Sequence, residues 1–376
     1  MSSVLIKKVE TRTELKEFIE FHYDLYKGNA YDVPNLYSDE LNTLRKDRNA
    51  AFDFCDAEYF LAYKDGKIVG RVAAIINNLA NEKWNQKSVR FGWIDFIDDR
   101  EVSAALMKAV EDYGRSKGMT DMVGPLGFTD MDPEGMLIEG FDQVSTMATI
   151  YNHPYYQQHI EKLGFERETD WVEFKIVVPD VIPEKMVRIC EIVKKKYNVR
   201  NIKYTNAKAL VKDYGQAIFQ LINEAYSQLY GYSPLTPRQI DHYINMYLPV
   251  LRLENVSLIV DADNTLIGVG IAMPSMSKAL QRSRGKLFPF GWYHLLKGLK
   301  GKNDVVDLLL VAIKPEYQSK GVNSLLFNDL IPCFRKNGYK YAESNPELDD
   351  NQRVQLQWQY FETTQHKRRR AYKKAL

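Results

Sequence analysis

One short segment of the 376-residue chain combines residue types that bind phosphorylated ligands. Residues 318–321 read Gln-Ser-Lys-Gly and follow an apolar run that ends at Pro315. A helical pattern begins directly afterwards, so the segment offers successive backbone N–H groups at a helix N-terminus. Lys320 adds positive charge, and Gly321 allows a ligand to approach the backbone closely. The segment therefore predicts a phosphate or pyrophosphate site, although an ordinary strand-to-helix turn can have the same composition.

The elements that must position this segment recur twice along the chain. Residues 58–75 form two apolar runs around Asp65-Gly66, a dipeptide typical of a type I′ hairpin turn. Residues 256–273 repeat the pattern, with Gly268 in the place of Gly70. In each half another apolar strand, a helical pattern that stops at a glycine and a short strand follow. This order predicts an α+β fold of two tandem domains, each a mixed, mostly antiparallel sheet flanked by helices.

Two prolines indicate where one domain gives way to the next. The residues 179–183 read Pro-Asp-Val-Ile-Pro, and a helical pattern begins near Glu184. We therefore expect a first domain over residues 1–178, a linker over 179–183 and a second domain over 184–376.

The second domain resembles the GNAT acyltransferase superfamily. The apolar strand, Pro315, Gln318 and Gly321 match its acyl-CoA loop, Gln/Arg-x-x-Gly-x-Gly/Ala, and Asn323 departs from it where the family has Gly or Ala. The resemblance implies acetyl-CoA or another acyl-CoA as the acyl donor. It also implies which backbone N–H groups hold the pyrophosphate: those of Ser319, Lys320, Gly321, Val322 and Asn323. The main chain near Val311 and Ile313 would pair with the pantetheine, and Asn351 matches a CoA-contacting asparagine that can alternatively cap a helix.

The same resemblance suggests where proton transfer takes place. The base in this superfamily is often a strand carboxylate, and Asp307 and Glu343 are the candidates, because flanking apolar residues raise the pKa of a carboxyl group. Either acid can equally be a solvent-exposed strand residue. The acid is usually a tyrosine seven residues after the asparagine, but that position is Trp358 here. Tyr360, two residues further, is the candidate acid.

The first domain resembles the same fold without the loop. Its strand runs directly into the acidic segment 98–101, and like charge there would repel a CoA phosphate. Residues 161–165 nevertheless read Glu-Lys-Leu-Gly-Phe, as at the end of the family's last helix. We therefore expect a degenerate GNAT-like domain before an acyl-CoA-binding one, as in tandem-GNAT proteins such as N-myristoyltransferases.

The predicted activity is transfer of an acyl group, acetyl or longer, from acyl-CoA to an amine or similar nucleophile. Two alternatives stay open. One is a carrier- or aminoacyl-tRNA-dependent transferase of the tandem-GNAT type, and the other is a non-catalytic CoA-binding module. The acceptor is expected to be a small molecule or a lipid precursor, and the oligomeric state is open.

Composition limits the other possibilities. The formal net charge is +2, which argues against a nucleic-acid footprint over the whole surface, so we expect no specific nucleic-acid partner. The three cysteines lie far apart and the six histidines show no ligand spacing, which argues against a metal site. No apolar run is long enough to span a membrane, and residues 1–8 lack a signal-peptide core, so a cytoplasmic location is expected.

Two basic segments lie outside the predicted CoA loop. Residues 277–302 carry seven Lys/Arg, no acid and several aromatic residues. Most of its aromatic side chains are expected to pack against the neighbouring domain. The alternatives are a lid over the acceptor site and a peripheral membrane contact. The tail, residues 366–374, is expected to be an exposed edge strand that its charge protects from aggregation, with contact to RNA as the alternative.

Overall fold

The computed structural model describes residues 3–376, apart from the side chain of Arg353. Contacts within the chain divide it into two compact units. Unit 1 comprises the residues up to Val172 together with Met276–Lys297 and His366–Leu376, and unit 2 comprises Glu173–Ser275 and Gly298–Gln365. The segment 179–183, predicted as a linker, belongs to unit 2, and two segments from the second half of the sequence complete unit 1.

The helices and strands alternate as the hydrophobic pattern predicts. The first half contains β1 (Leu5–Lys8), α1 (Arg12–Leu25), α2 (Tyr37–Thr43), β2 (Cys55–Lys64), β3 (Lys67–Asn77), α3 (Asn78–Lys83), β4 (Ser88–Phe96), α4 (Arg100–Ser116), β5 (Asp121–Gly124), β6 (Met136–Glu139), α5 (Tyr155–Lys162) and β7 (Glu166–Val177). The second half begins with α6 (Glu184–Tyr197), β8 (Arg200–Ile202), α7 (Ala207–Tyr226), α8 (Pro237–Tyr247), β9 (Val256–Val260), β10 (Leu266–Pro274), α9 (Ser277–Ser283) and α10 (Gly291–Lys300). It ends with β11 (Val305–Ile313), α11 (Asn323–Lys336), β12 (Tyr341–Ser344), β13 (Glu347–Leu348), α12 (Gln352–Gln355) and β14 (Thr363–Ala375).

The two predicted hairpins are confirmed. In the first, Asp65 and Gly66 have φ angles of 52° and 75°, the left-handed values that a type I′ turn requires, and Lys64 pairs with Lys67. In the second, Val260 pairs with Leu266 across a longer turn that contains Asn264 at φ 64°. Each hairpin therefore lies next to the strand that follows it, β4 in unit 1 and β11 in unit 2.

Unit 1 contains a sheet with the order β1-β2-β3-β4-β5, to which the C-terminal strand β14 is added. Helix α4 covers this sheet, and its Val102, Leu106 and Val110 side chains are fully buried. A Cβ atom on Gly70 of β3 would lie only 2.7 Å from the Leu106 side chain. The repeated glycine of the hairpin is therefore needed here for close helix-on-sheet packing.

The basic tail is not the exposed edge strand that the sequence suggested. Residues Tyr372–Ala375 of β14 pair with β5, and Arg368–Arg370 pair with β6. The Arg369 side chain is fully buried, and the Arg370 guanidinium donates to both carboxylate oxygens of Asp170, at 2.7 and 3.0 Å. The expectation failed because these cations balance a buried acid, which the local pattern of charge cannot indicate.

Unit 2 contains a sheet with the order β8-β9-β10-β11-β12, and residues 175–177 of β7 pair with β12. Helix α6 begins at Glu184 as predicted, and together with α11 it packs on this sheet through an apolar cluster. That cluster contains Cys190, Val193, Ile259, Leu325 and Leu326. Strands β11 and β12 run parallel, joined by α11, whereas β10 is antiparallel to β11.

Candidate acyl-CoA site of unit 2

Strand β11 loses its neighbour half-way along its length. Its residues Val305–Leu308 pair with Tyr341–Ser344 of β12, and the pairing then ends. On the β10 side the register jumps from Leu308 to Leu310, so Leu309 is an extra residue that bulges the strand. Asn345, just after β12, donates its side-chain amide to the Leu309 carbonyl at 2.6 Å. The last residues of β11 therefore have no strand partner on one side in the described chain.

The main chain of β11 points its polar groups toward this open side at every second residue. The Lys314 N–H donates to a β10 carbonyl at 2.9 Å, so by alternation the polar groups of Val311 and Ile313 face away from β10. Both carbonyls accept side-chain hydrogen bonds there, Val311 from the Tyr226 hydroxyl at 3.0 Å and Ile313 from the Gln318 amide at 3.0 Å. The residues that the family resemblance assigned to pantetheine pairing therefore lie at the open edge.

The loop after β11 contains a run of backbone N–H groups without a partner in the described part of the chain. Ser319 and Gly321 adopt left-handed backbone angles, with φ of 58° and 78°, and α11 begins at Asn323. The N–H groups of residues 319–323 have no acceptor in the described part of the chain. The Asn323 side chain, the departure from the family pattern, lies 3.5 Å from the Gln357 amide oxygen. Such a concave run of N–H groups at a helix start suits an anionic phosphate.

Gly321 has a structural role in addition to the ligand approach predicted from its sequence context. A Cβ atom there would lie 2.9 Å from Cγ2 of Ile189 in α6, and φ is strongly positive. The glycine is therefore required by the backbone conformation and by the packing of α6. Close approach of a ligand is not its only explanation.

Two lysine ammonium groups lie beside the loop. The Nζ atoms of Lys320 and Lys196 lie 5.6 and 5.2 Å from the centre of the Tyr197 ring, and Lys320 is also 5.8 Å from the Tyr317 ring. The aromatic rings hold both cations at the C-terminal end of α6 and next to the exposed N–H groups. The residues present thus fit a polyanion at the loop and an extended chain along β11, which are the two parts of a CoA molecule.

Glu347 is a titratable residue of this region that the sequence analysis missed. It follows Asn345 by two residues, and both of its carboxylate oxygens lie within 3.1–3.2 Å of the Trp358 indole N–H. Burial raises the pKa of Glu347 to about 8, against the opposing effect of that hydrogen bond. Glu347 also helps to raise the pKa of Tyr226, to about 12, although burial is the larger cause. Glu347 therefore interacts electrostatically with the tyrosine whose hydroxyl donates to the Val311 carbonyl.

The acids predicted from sequence lie further back along the strands. Asp307 and Glu343 are register neighbours on β11 and β12 and share one face of the sheet. Asp307 is fully buried, and it precedes Val311 by four residues, roughly 13 Å of extended chain. Tyr360, the predicted acid, has its ring 5.0 Å from the Lys185 ammonium at the start of α6. Asn351 precedes α12 without a side-chain capping bond.

Unit 1 shares the bulged strand but has a different helix start. The register of β4 slips between Gly92 and Asp95, and Trp93 in the bulge has a φ of 45°. At the start of α4, Asp99 caps the helix through the Glu101 N–H and pairs with a lysine. A carboxylate thus occupies the position where unit 2 has exposed N–H groups.

Behind the bulge of unit 1 lies a buried ionic network around Asp95. His22 and Arg71 both contact this carboxylate, at 3.0 and 2.8 Å, and the Tyr26 hydroxyl donates to it at 3.2 Å. The second ring nitrogen of His22 lies 3.3 Å from Asp32. No local sequence pattern indicates this network, because its members come from different elements.

The described residues contain neither a metal-ligand cluster nor a membrane-spanning helix. Among residues 3–376, no group of three or more His, Cys, Asp or Glu side chains is arranged to hold a metal ion. No helix in the described part of the chain is long and apolar enough to cross a membrane.

Known proteins place this geometry in context. No protein-family model matches the chain. It is 28% identical over 333 residues to the protein YghO of Escherichia coli strain K12, covering 88% of this chain and 84% of that protein. It is 26% identical over 375 residues to a bacterial ceramide synthase of Caulobacter vibrioides, covering 98% and 96%. A solved tandem GNAT protein from the clavulanic acid biosynthesis pathway superposes with a TM-score of 0.58 at 10% identity, covering 99% of this chain and 98% of that one.

The chain thus has the α+β fold of tandem GNAT proteins, which confirms the resemblance inferred from the loop and the repeat.

Proposed function

We propose that the protein transfers an acyl group from acyl-CoA to an amine of its acceptor, and that unit 2 holds the donor. The observation that carries this proposal is the open edge of β11, which leads directly into residues 319–323, whose five N–H groups have no acceptor in the described part of the chain. CoA has an extended pantetheine arm that ends in a diphosphate, so the arm matches the strand edge and the diphosphate matches the loop that follows it. When bound, acyl-CoA supplies an activated thioester, and the chain's own residues bind the donor and transfer protons.

The loop and the strand edge divide the binding of the donor between them. The backbone N–H groups of residues 319–323 and the Lys320 ammonium hold the pyrophosphate. The main-chain groups of Val311 and Ile313 pair with the pantetheine. Tyr226 and Gln318 now occupy these two carbonyls, so their side chains must share or yield them when the arm is in place. Asn351 remains a candidate contact for the CoA.

Two side chains near Val311 are suited to proton transfer. Glu347 has a pKa of about 8, close to the value at which a general base is most effective near neutral pH, and accepts a proton from the acceptor ammonium. The neutral amine nitrogen forms a bond to the thioester carbon. The Tyr226 hydroxyl, which remains protonated because its pKa is raised to about 12, donates to the sulfur as the C–S bond breaks, and the surplus proton of the acylated nitrogen returns to the Tyr226 oxygen. Glu347 is preferred to Asp307 and Glu343 because its pKa is raised to about 8 and because it interacts with Tyr226, whose hydroxyl contacts the Val311 carbonyl.

The acceptor is proposed to be an amine of a lipid precursor. Support comes from the similarity along 98% of the chain to a protein named bacterial ceramide synthase, since a ceramide is an N-acylated long-chain amino alcohol. A long-chain fatty acyl-CoA is then the expected donor.

An acyl-transfer assay tests the proposal. The purified protein is incubated with acetyl-CoA or palmitoyl-CoA and with a long-chain amino alcohol, spermidine or free lysine, and products are detected by mass spectrometry. The expected result is an N-acylated long-chain amine from palmitoyl-CoA that the Glu347→Gln variant forms much more slowly. Release of free CoA without any N-acyl product in all combinations would contradict the proposal.

A further inference from the structure

The insertion between β10 and β11 carries an exposed apolar surface. Phe288 and Phe290 are 80% and 72% exposed, and Trp292, Tyr293 and Leu296 are each about half exposed. We name these five side chains the aromatic tip. The sequence-based expectation that most of the aromatic side chains pack against the neighbouring domain is therefore wrong for this set. Protein surfaces rarely leave adjacent large apolar side chains in water without a partner.

The tip is held on a firm base in unit 1. The Gln281 amide donates to the carbonyls of Ala30 and Asp32, at 2.9 and 2.8 Å, and the Gly285 carbonyl accepts from the Tyr37 N–H at 2.8 Å. A Cβ atom on Gly285 would lie 2.1 Å from a backbone carbonyl oxygen. The base of the insertion is thus packed, and only its tip projects.

The charge around the tip has one sign. Residues 277–302 contain seven Lys/Arg and no acid, while the whole chain has a net charge of +2, so the remainder is net negative. Lys286 and Lys297, which flank the tip, are exposed. None of the seven cations forms an ion pair with a carboxylate in the described part of the chain. The positive charge is therefore available to a partner outside the protein.

We propose that the aromatic tip and its flanking lysines dock unit 1 on an anionic phospholipid surface. The Phe288, Phe290 and Leu296 side chains enter the boundary between headgroups and acyl chains, Trp292 and Tyr293 lie at headgroup depth, and the lysines contact lipid phosphates. A second copy of the chain is disfavoured as the occupant, because two such faces would bring like charges together. Phe and Leu side chains with no polar group favour lipid over nucleic acid.

Vesicle co-sedimentation without acyl-CoA tests this surface. Vesicles of phosphatidylcholine alone are compared with an equimolar mixture of phosphatidylcholine and phosphatidylglycerol. We expect binding to the anionic vesicles only, weakened by added salt. The double variant Phe288→Ser/Phe290→Ser should lower the partition coefficient at least about tenfold, and Lys286→Gln and Lys297→Gln about fivefold each.

A matched control distinguishes binding through the aromatic tip from non-specific hydrophobic binding. Val181 is 76% exposed and lies in unit 2, so Val181→Ser should leave binding unchanged. Loss of binding in this control equal to that in the aromatic variant would overturn the proposal. So would equal binding to neutral vesicles, no vesicle binding at all, preferential binding of an oligonucleotide, or a protein dimer that the aromatic variant dissociates. CoA titration of the aromatic variant should be normal, which keeps this outcome independent of the acyl-transfer proposal.

Discussion

Replacing Glu347 by Gln tests the assignment of the general base. Because burial raises the pKa of Glu347 to about 8, only about one protein in eleven has an ionised Glu347 at pH 7, but about ten in eleven do at pH 9. The rate of the wild-type protein at saturating acceptor should therefore rise about tenfold over this range. The Glu347→Gln variant should be about 10²–10⁴-fold slower and should lack the rise.

Replacing Trp358 tests the same assignment by shifting the pKa of Glu347 without removing its carboxyl group. Its indole N–H stabilises the ionised carboxylate, so the Trp358→Phe variant should shift the midpoint of the pH profile upward while activity at high pH is largely kept. The assay is initial-rate N-acylation with palmitoyl-CoA across pH 6–10. Tyr360→Phe serves as the control, because its ring lies by Lys185, and its profile should match the wild type. A Glu347→Gln variant that keeps the wild-type rise would refute the assignment.

Two further predictions concern stability. His22→Ala should lower the free energy of unfolding by about 3–5 kcal/mol, measured by denaturant titration, because it leaves buried Asp32 without a cation and leaves buried Asp95 with Arg71 alone. Despite the opposing effect of burial, the pKa of His22 is raised to about 10, chiefly by Asp95. The contribution of His22 to the free energy of unfolding should therefore be complete below pH 6.5 and lost as the pH rises through 10. A variant with the wild-type free energy of unfolding at pH 6 would contradict this prediction. Gly321→Ala should cost about 1–3 kcal/mol in the same measurement, because alanine resists the left-handed backbone and its Cβ would press on Ile189. An unchanged midpoint would show that the loop relaxes freely.

Local sequence signals predicted the frame of the molecule well. The Asp65-Gly66 turn and the start of α6 at Glu184 depend on nearest neighbours, and both lie where the pattern indicated. The loop at Gln318–Gly321 could be predicted for the same reason, because one short segment contains the end of a strand, a glycine and the start of a helix. Such features need no knowledge of the rest of the fold.

Features that depend on distant contacts were missed. The raised pKa of Glu347 comes from burial, against the opposing hydrogen bond of the Trp358 indole eleven residues away, so no local pattern indicates it. The pairing of β14 with β5 joins residues about 250 apart, and the short basic run gives no register. The exposure of Phe288 and Phe290 also differs from the packing expected of aromatic residues. In each case the tertiary environment overrides a local preference.

The most direct test of the central claim is a calorimetric titration of the protein with CoA and palmitoyl-CoA. The Lys320→Glu variant places a carboxylate beside the exposed N–H groups and should weaken CoA binding at least about tenfold by repelling the pyrophosphate. Lys212→Glu, an exposed charge reversal early in α7, is the control and should bind as the wild type does. Micromolar binding that is lost only in Lys320→Glu is the predicted result. Absence of binding to either ligand, or equal binding by both variants, would contradict an acyl-CoA site at this loop.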